Sequence, residues 1–209
     1  MVSLALIFIS PLTSEFISPS LFSPALYYST EAQDAVRIEI IDRTILALKA
    51  EGIDFKGILY FGIMLTDNGP KLLEYNVRFG DPETEVILPR LQSDLVDIML
   101  NVIDGKLDKT DIKWSTDKAI CIVMASGGYP EKYQVGCDIK GIEKVKEGAI
   151  VFHAGTKFKN DKLVTAGGRV LVISALDKNY EVARKMTYEA IDMINFQDLH
   201  YRTDIAICD

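Results

Sequence analysis

With 209 residues, 48% of them hydrophobic and 25% charged, the chain has room for one large domain or two small ones and for a sizeable core. Its net charge of −7 argues against a general nucleic-acid surface, where affinity comes from lysines and arginines set against phosphates. Cys121, Cys137 and Cys208 are few and odd in number, and His153 and His200 are the only histidines, so no disulfide framework, zinc site or histidine-rich metal chemistry is implied. A reducing cytoplasm fits best.

Met1 to Ser10 is apolar, yet no lysine or arginine precedes it and the run is too short to span a bilayer, so no membrane is expected as a partner. Residues 1–21 carry a single charge, Glu15, and read as a poorly specified apolar arm, with secretion as the alternative. Thr30-Glu31-Ala32-Gln33 has the form of a capping box. It predicts a helix to about Glu51 with Ala32, Val36, Ile40 and Leu46 on its apolar face and Gly52 at its end. Phe55 to Leu65 reads as a strand, Asp67-Asn68-Gly69-Pro70 as a turn, and Lys71 to Val77 as the return strand of an antiparallel hairpin.

The return strand carries the densest chemistry of the chain. Strict alternation places Glu74, Asn76 and Arg78 on one face and Leu73, Tyr75 and Val77 on the other. An acid and an amide two residues apart are two hard oxygen ligands about 7 Å apart along a strand, within reach of one small cation. Magnesium takes only one or two protein oxygens and fills its octahedron with water and phosphates. An arginine one step further suits a phosphoryl group held by the same ion. The same Glu-x-Asn pattern also suits a merely solvated strand face. The crowding of Asp81 and Glu83 into the same ten residues favours the metal reading.

Thr84, a plausible helix N-cap, opens a helical stretch to about Gly105, interrupted near Pro89 and Ser93, with Leu95, Met99, Val102 and Ile103 facing inward. Residues 105–117 are polar and irregular and read as an interdomain linker. Ala119 to Ser126 is an apolar run typical of a buried strand. Short strands are expected at Ala149–Ala154, Leu163–Ala166 and Arg169–Ala175, then a helix from Asn179 to Ile194 and a last strand near Tyr201–Thr203. His153 reads as a packed core residue, Tyr129 and Tyr133 as packing or surface residues, and Met64, Met99, Met124 and Met193 as core. The lysines of residues 140–146 read as a solvated face. The expected class is α+β: a helix–hairpin–helix unit over residues 22–117, then a small β-rich unit with one helix over 118–209.

LEYNVRFGDPETE resembles the signature LE-(F/Y)-N-x-RFGDPE-T of phosphoribosylamine–glycine ligase, or glycinamide ribonucleotide synthetase, an ATP-grasp family of purine biosynthesis. GIDFKGILYFGIMLTDNGPK, ASGGYPEKYQVGCDIKGIE, VFHAGTK and TAGGRVL follow the family in its order, so the resemblance runs from about Phe22 to the C-terminus. It implies the C-terminal part of an ATP-grasp domain followed by the family's C-terminal domain. It also implies ATP and Mg²⁺ or Mn²⁺ as cofactors, with glycine and 5-phosphoribosylamine as substrates.

Carried over residue by residue, the resemblance gives Glu74 and Asn76 the metal, Arg78 the transferring phosphoryl group, and Asp81 with Glu83 the glycine ammonium. Lys157 and Arg169 would face the ribose phosphate, with Gly167 and Gly168 admitting a ligand close to the backbone. For Lys157 a surface cation on a hairpin is the competing reading. Residues Ile58 to Leu65 lack the acid that many ATP-grasp enzymes place on this strand. The family is roughly twice as long, and residues 1–21 do not match what should precede Phe22. A truncated chain is therefore expected, inactive alone unless a separate polypeptide supplies the missing N-terminal half. A non-catalytic fragment binding a phosphorylated sugar or a partner, and another ATP-grasp carboxylate–amine ligase, are the rival readings.

Overall fold

The computed structural model describes residues 5–10, 21–24 and 28–207. In chain order these form β1 (Ala5–Ser10), β2 (Leu21–Ser23), α1 (Thr30–Val36), α2 (Asp42–Ala50), β3 (Leu59–Thr66), β4 (Gly69–Asn76), α3 (Thr84–Ile87) and α4 (Leu95–Ile103). There follow β5 (Lys118–Ser126), β6 (Ala149–His153), β7 (Thr156–Lys159), β8 (Lys162–Thr165), β9 (Arg169–Asp177), α5 (Tyr180–Ile191) and β10 (Leu199–His200). The chain divides into two compact units, one drawn from within Met1–Ser14, Ala25–Glu83 and Leu91–Ser115, the other from within Glu15–Pro24, Thr84–Arg90 and Thr116–Asp209. Among the described residues no helix is long and apolar enough to cross a membrane.

In the first unit α1 and α2 are joined by a π-helical turn, Arg37–Ile41. A π turn spaces inward side chains four and five residues apart, so Val36, Ile40 and Ile41 are all buried against Leu59, Phe61 and Ile63. The extra residue also shifts the phase downstream. Ile45 and Leu48 pack on this core, while Leu46, expected to face inward, is 63% exposed. The N-cap is Ser29 rather than Thr30, with its hydroxyl accepting from the Ala32 amide at 3.3 Å. Gln33 donates to the Tyr28 carbonyl instead of closing a box. Gly52 ends the helix as expected: its amide donates to Lys49 O and that of Ile53 to Leu48 O, the two bonds of a Schellman cap.

β3 and β4 form the expected antiparallel hairpin, and β1 pairs parallel with the other edge of β3. Part of the stretch read as an unspecified arm is thus a strand. The helix α4 is capped by Asp94, whose carboxylate accepts from Val96 N at 2.7 Å. It buries Ile98 and Val102 but leaves Met99 and Ile103 exposed, against expectation. Asp97 and Asn101, four residues apart, mark one polar side and the pattern points Met99 inward, yet the helix buries the flank of Ile98 and Val102 beside that polar pair. Residues 105–115 stay tied to this unit through the Lys113 amide, which donates to Ser93 Oγ at 2.7 Å, and a Leu91–Trp114 bridge.

The second unit is built on a five-stranded sheet in the order β10-β5-β9-β6, with β2 also pairing β5. β5 and β9 sit in its middle, and from Ala119 to Ser126 and Val170 to Ala175 both are buried throughout. That explains their apolar runs, broken in β9 only by the buried Ser174, whose hydroxyl donates to a carbonyl. Helix α5 closes one face with Ala183, Ala190 and Ile191. β7 and β8 form a separate two-stranded ribbon, and β7 falls where a loop was expected. The last strand lies at Leu199–His200, slightly before Tyr201–Thr203. His153 and Met193 are exposed rather than packed, whereas Met124 is fully buried.

Candidate functional site

The hairpin's alternation is broken once, and the break sets its chemistry. Ile63 faces Leu72 and Gly62 faces Glu74, so Leu73 is an extra residue in β4. This bulge puts Leu72 and Tyr75 both on the side packed by the helices: Leu72 touches the core and the Tyr75 ring meets Phe61 edge-on at 5.4 Å. Glu74 and Asn76 then share the opposite side with Tyr60 and Gly62. The Asn76 amide donates to Glu74 Oε1 at 3.0 Å, so the two side chains lie together as expected. Gly62 leaves room for this, because a Cβ there would fall 2.8 Å from Glu74 Cγ.

Arg78 is not a member of that face. β4 ends at Asn76, and the exposed Arg78 guanidinium donates to the Phe79 carbonyl at 2.7 Å. It lies in the loop that carries the next two acids, and these differ sharply. Asp81 is exposed, whereas Glu83 is buried and accepts a hydrogen bond from the buried Tyr60 hydroxyl at 3.2 Å. Burial, reinforced by Asp81 and Glu74, raises the Glu83 carboxyl above its usual range, against the pull of its hydrogen bonds. Burial, then the Glu83 carboxylate, pushes Tyr60 far above an ordinary phenol. Glu83 also lies against Gly80 so tightly that any Cβ there would collide with its carboxylate. Glu83 is therefore an internal anchor of the loop, with Asp81 as its outward acid. Tyr60 and Gly80 were missed in the sequence; the Tyr60–Asn76 register, had it been drawn, would have placed the phenol beside the motif.

Glu74 and Asn76 supply two hard oxygens on one sheet face. A half-turn of the Asn76 amide, whose two ends have nearly the same shape, would set both oxygens toward one ion. Among the described residues no group of three or more His, Cys, Asp or Glu side chains could hold a metal. The donor set fits an ion completed by phosphate oxygens and water, as magnesium prefers.

In the other unit, Lys157 is exposed on β7 and lines a groove of about 530 Å³ with Ile142, Glu143, His153, Thr156, Phe158 and Leu163. His153 Nδ1 lies 3.0 Å from Thr156 Oγ1. Arg169 is not among the groove's lining residues; it begins β9, where its carbonyl accepts from Gly155 N at 2.9 Å. The glycines before it do not open the backbone to a ligand. The side of Gly168 where a Cβ would project is filled by the Tyr129 ring, and Gly167 packs on Gly155. Ser126 fastens the same run through its amide to Gly168 O at 2.7 Å and its hydroxyl to Gly167 O at 3.0 Å. Tyr129 is a packing residue, as expected, with Tyr133 edge-on at 6.0 Å.

Two family profiles match the chain: Phosphoribosylglycinamide synthetase, ATP-grasp (A) domain, over residues 20–84, and Phosphoribosylglycinamide synthetase, C domain, over residues 119–208. The chain belongs to the phosphoribosylglycinamide synthetase family. A phosphoribosylamine–glycine ligase from Caldanaerobacter subterraneus subsp. tengcongensis is 46% identical over 184 residues, 88% of this chain and 44% of that protein. The trifunctional purine biosynthetic protein adenosine-3 of Gallus gallus is 45% identical over 187 residues, 19% of its length. The crystal structure of phosphoribosylamine–glycine ligase from Thermotoga maritima superposes with a TM-score of 0.77 at 34% identity, covering 88% of this chain and 45% of that one. The chain thus spans under half the length of these relatives, and its α+β fold is that of the C-terminal part of this ATP-grasp family.

Proposed function

We propose that the chain supplies the metal–phosphate face and C-terminal domain for the ATP-dependent ligation of glycine to 5-phosphoribosylamine. The observation that carries this reading is the paired Glu74 and Asn76 on an open sheet face, beside a loop offering Arg78 and Asp81, in a chain of this family. Glu74 and Asn76 would hold Mg²⁺ or Mn²⁺, which when bound neutralises phosphate charge. Arg78, freed from the Phe79 carbonyl, would steady the phosphoryl group as it passes from ATP to the glycine carboxylate, releasing ADP. Asp81 would hold the glycine ammonium. The amine of phosphoribosylamine then attacks the acyl carbon of glycyl phosphate, loses a proton and expels phosphate, giving glycinamide ribonucleotide. Arg169 and Lys157 would meet the ribose phosphate of that substrate. We place the reaction in the cytoplasm.

Such transfer depends on positioning and charge neutralisation away from water. The chain alone should therefore bind ATP·Mg²⁺ weakly and turn over little. A phosphate-release assay tests the reading, run with this chain alone and with the N-terminal half of a relative added. Release only in the mixture, requiring ATP, glycine and phosphoribosylamine together, is expected. Release that ignores glycine, or none in a mixture shown to form a complex, overturns it. The second outcome would leave the non-catalytic fragment reading.

A further inference from the structure

In the second unit β6 ends the strand order β10-β5-β9-β6, so among the described residues its outer side has no strand partner. The ladder to β9 fixes which groups lie on that side. Ala154 N donates to Val170 O at 3.1 Å, and alternate residues of an antiparallel ladder bond inward, so Ile150 and Phe152 bond toward β9. The amides and carbonyls of Ala149, Val151 and His153 therefore point away from it, the Ala149 amide meeting Lys146 O at 3.5 Å. These three residues are symmetric about Val151. Such an edge can pair antiparallel with a copy of itself across a two-fold axis, setting Val151 against Val151 and His153 against Ala149. No lysine, arginine, aspartate or glutamate on β6 discourages this, and Ile150 is 39% exposed.

The two ends of β6 carry complementary surfaces. At its start, a groove of about 410 Å³ lies against the last turns of α5, with Ala149, Met186, Ala190 and Met193 as its apolar lining. Its charged lining is Glu147, Glu189 and Asp192 against a single lysine, Lys146, and Glu189 also pairs with Lys185 at 3.8 Å. At the other end, the hydrogen bond of 3.0 Å between His153 Nδ1 and Thr156 Oγ1 ties β6 to the ribbon β7–β8. That ribbon carries Phe158, at 77% the most exposed large apolar side chain among the described residues. Lys157 and Lys159 flank the ring, and Lys162 is held by Asp138 at 3.0 Å. An aromatic ring among cations thus stands at one end of the edge, and methionines among acids at the other. Methionine moulds itself to a ring and gains from contact between sulfur and the aromatic edge.

We propose that two copies of this chain associate through the outer edge of β6, antiparallel about Val151, with Phe158 of each copy seated in the methionine groove of the other. Each copy gives one ring and receives one, as a two-fold interface requires. Lys159 of one copy then faces the acids of the other copy's groove, which sets the register. Every residue involved belongs to the second unit, and the association is independent of the proposed reaction.

Sedimentation velocity of the whole chain over a concentration series tests this, with hydrogen exchange read at low and high concentration. A monomer–dimer equilibrium is expected, with exchange of the Val151 and His153 amides slowing as the dimer fills. Phe158→Glu should raise the dimer dissociation constant at least about tenfold, since it removes the anchoring ring and sets an acid against acids. Met193→Glu, on the groove side of the same contact, should do likewise. Both side chains are exposed in the single chain, and circular dichroism checks that the variants stay folded. A chain that stays monomeric up to about 1 mM, a dimer indifferent to either variant, or exchange at Val151 that ignores concentration each overturns the proposal. A dimer abolished instead by Leu73→Lys, at an exposed position of the first unit, also overturns it by placing the contact elsewhere.

Discussion

The two units solve the problem of burying a sheet in opposite ways. The second surrounds β5 and β9 with strands on both sides and a helix on one face, so Ile120, Ile122, Met124, Leu171 and Ile173 are all fully buried. The first covers one face of β3 with α1 and α2, and among the described residues β4 is a sheet edge whose other face carries Glu74 and Asn76. The proposed metal–phosphate face lies on the first unit. A site proposed to admit a triphosphate and an ion needs an open face, and an open face is what a complete core removes. Among the described residues the second unit buries its two central strands, while the first keeps one sheet face open.

The sharpest way to break that contrast is to hollow out the finished unit. Ile173→Ala should cost about 2–5 kcal/mol in urea unfolding, because a rigid, fully buried site collapses little around the cavity. A much smaller loss would mean that the second core relaxes around the cavity. In the first unit, Tyr60→Phe should cost about 1.5–3 kcal/mol, since it removes the donor to a buried carboxyl. Hydrogen exchange should register that loss along β3 and β4 while β5 and β9 keep their protection.

Proton linkage sharpens the comparison further. The Glu83 carboxyl is raised in the folded state, so its stabilising contribution is full below the unfolded value of 4.5 and is lost as pH rises through the folded one. First-unit stability should fall over that window. Glu83→Gln should abolish the slope and leave the fold at least as stable at neutral pH. Tyr60 is raised too, so a further loss is expected above pH 10 as the unfolded phenol ionises first. The smallest structural effect belongs to Glu74→Gln. The side chain is exposed, and stability should move by less than about 0.5 kcal/mol. Metal-dependent nucleotide binding and the activity of a complemented enzyme should nevertheless drop. Unchanged metal dependence would remove Glu74 from the proposed site.

The hairpin, the Gly52 cap, the buried strand at Ala119–Ser126 and the last long helix were legible in the sequence. Each is set by local chemistry: turn residues between β-rich runs, a glycine at a positive φ, a continuous apolar run, an Asn before an amphipathic stretch. The nearness of Glu74 to Asn76 was legible for the same reason, since residues two apart on a strand must share a face. Sequence by itself also determined family membership, because a motif of that length constrains identity without any fold.

Only the tertiary structure decided how those pieces face one another. The π turn at Arg37–Ile41 rotated Leu46 outward, and the bulge at Leu73 gave Leu72 and Tyr75 a common side. One extra residue in a period is invisible to a pattern count but shifts every side chain after it. Glu83 was separated from Asp81 by a phenol twenty-three positions earlier in the chain, and Gly168 was claimed by Tyr129 rather than by a ligand. Burial and hydrogen-bond partners are long-range properties: they depend on which distant side chain fills a space, and no local spacing specifies that.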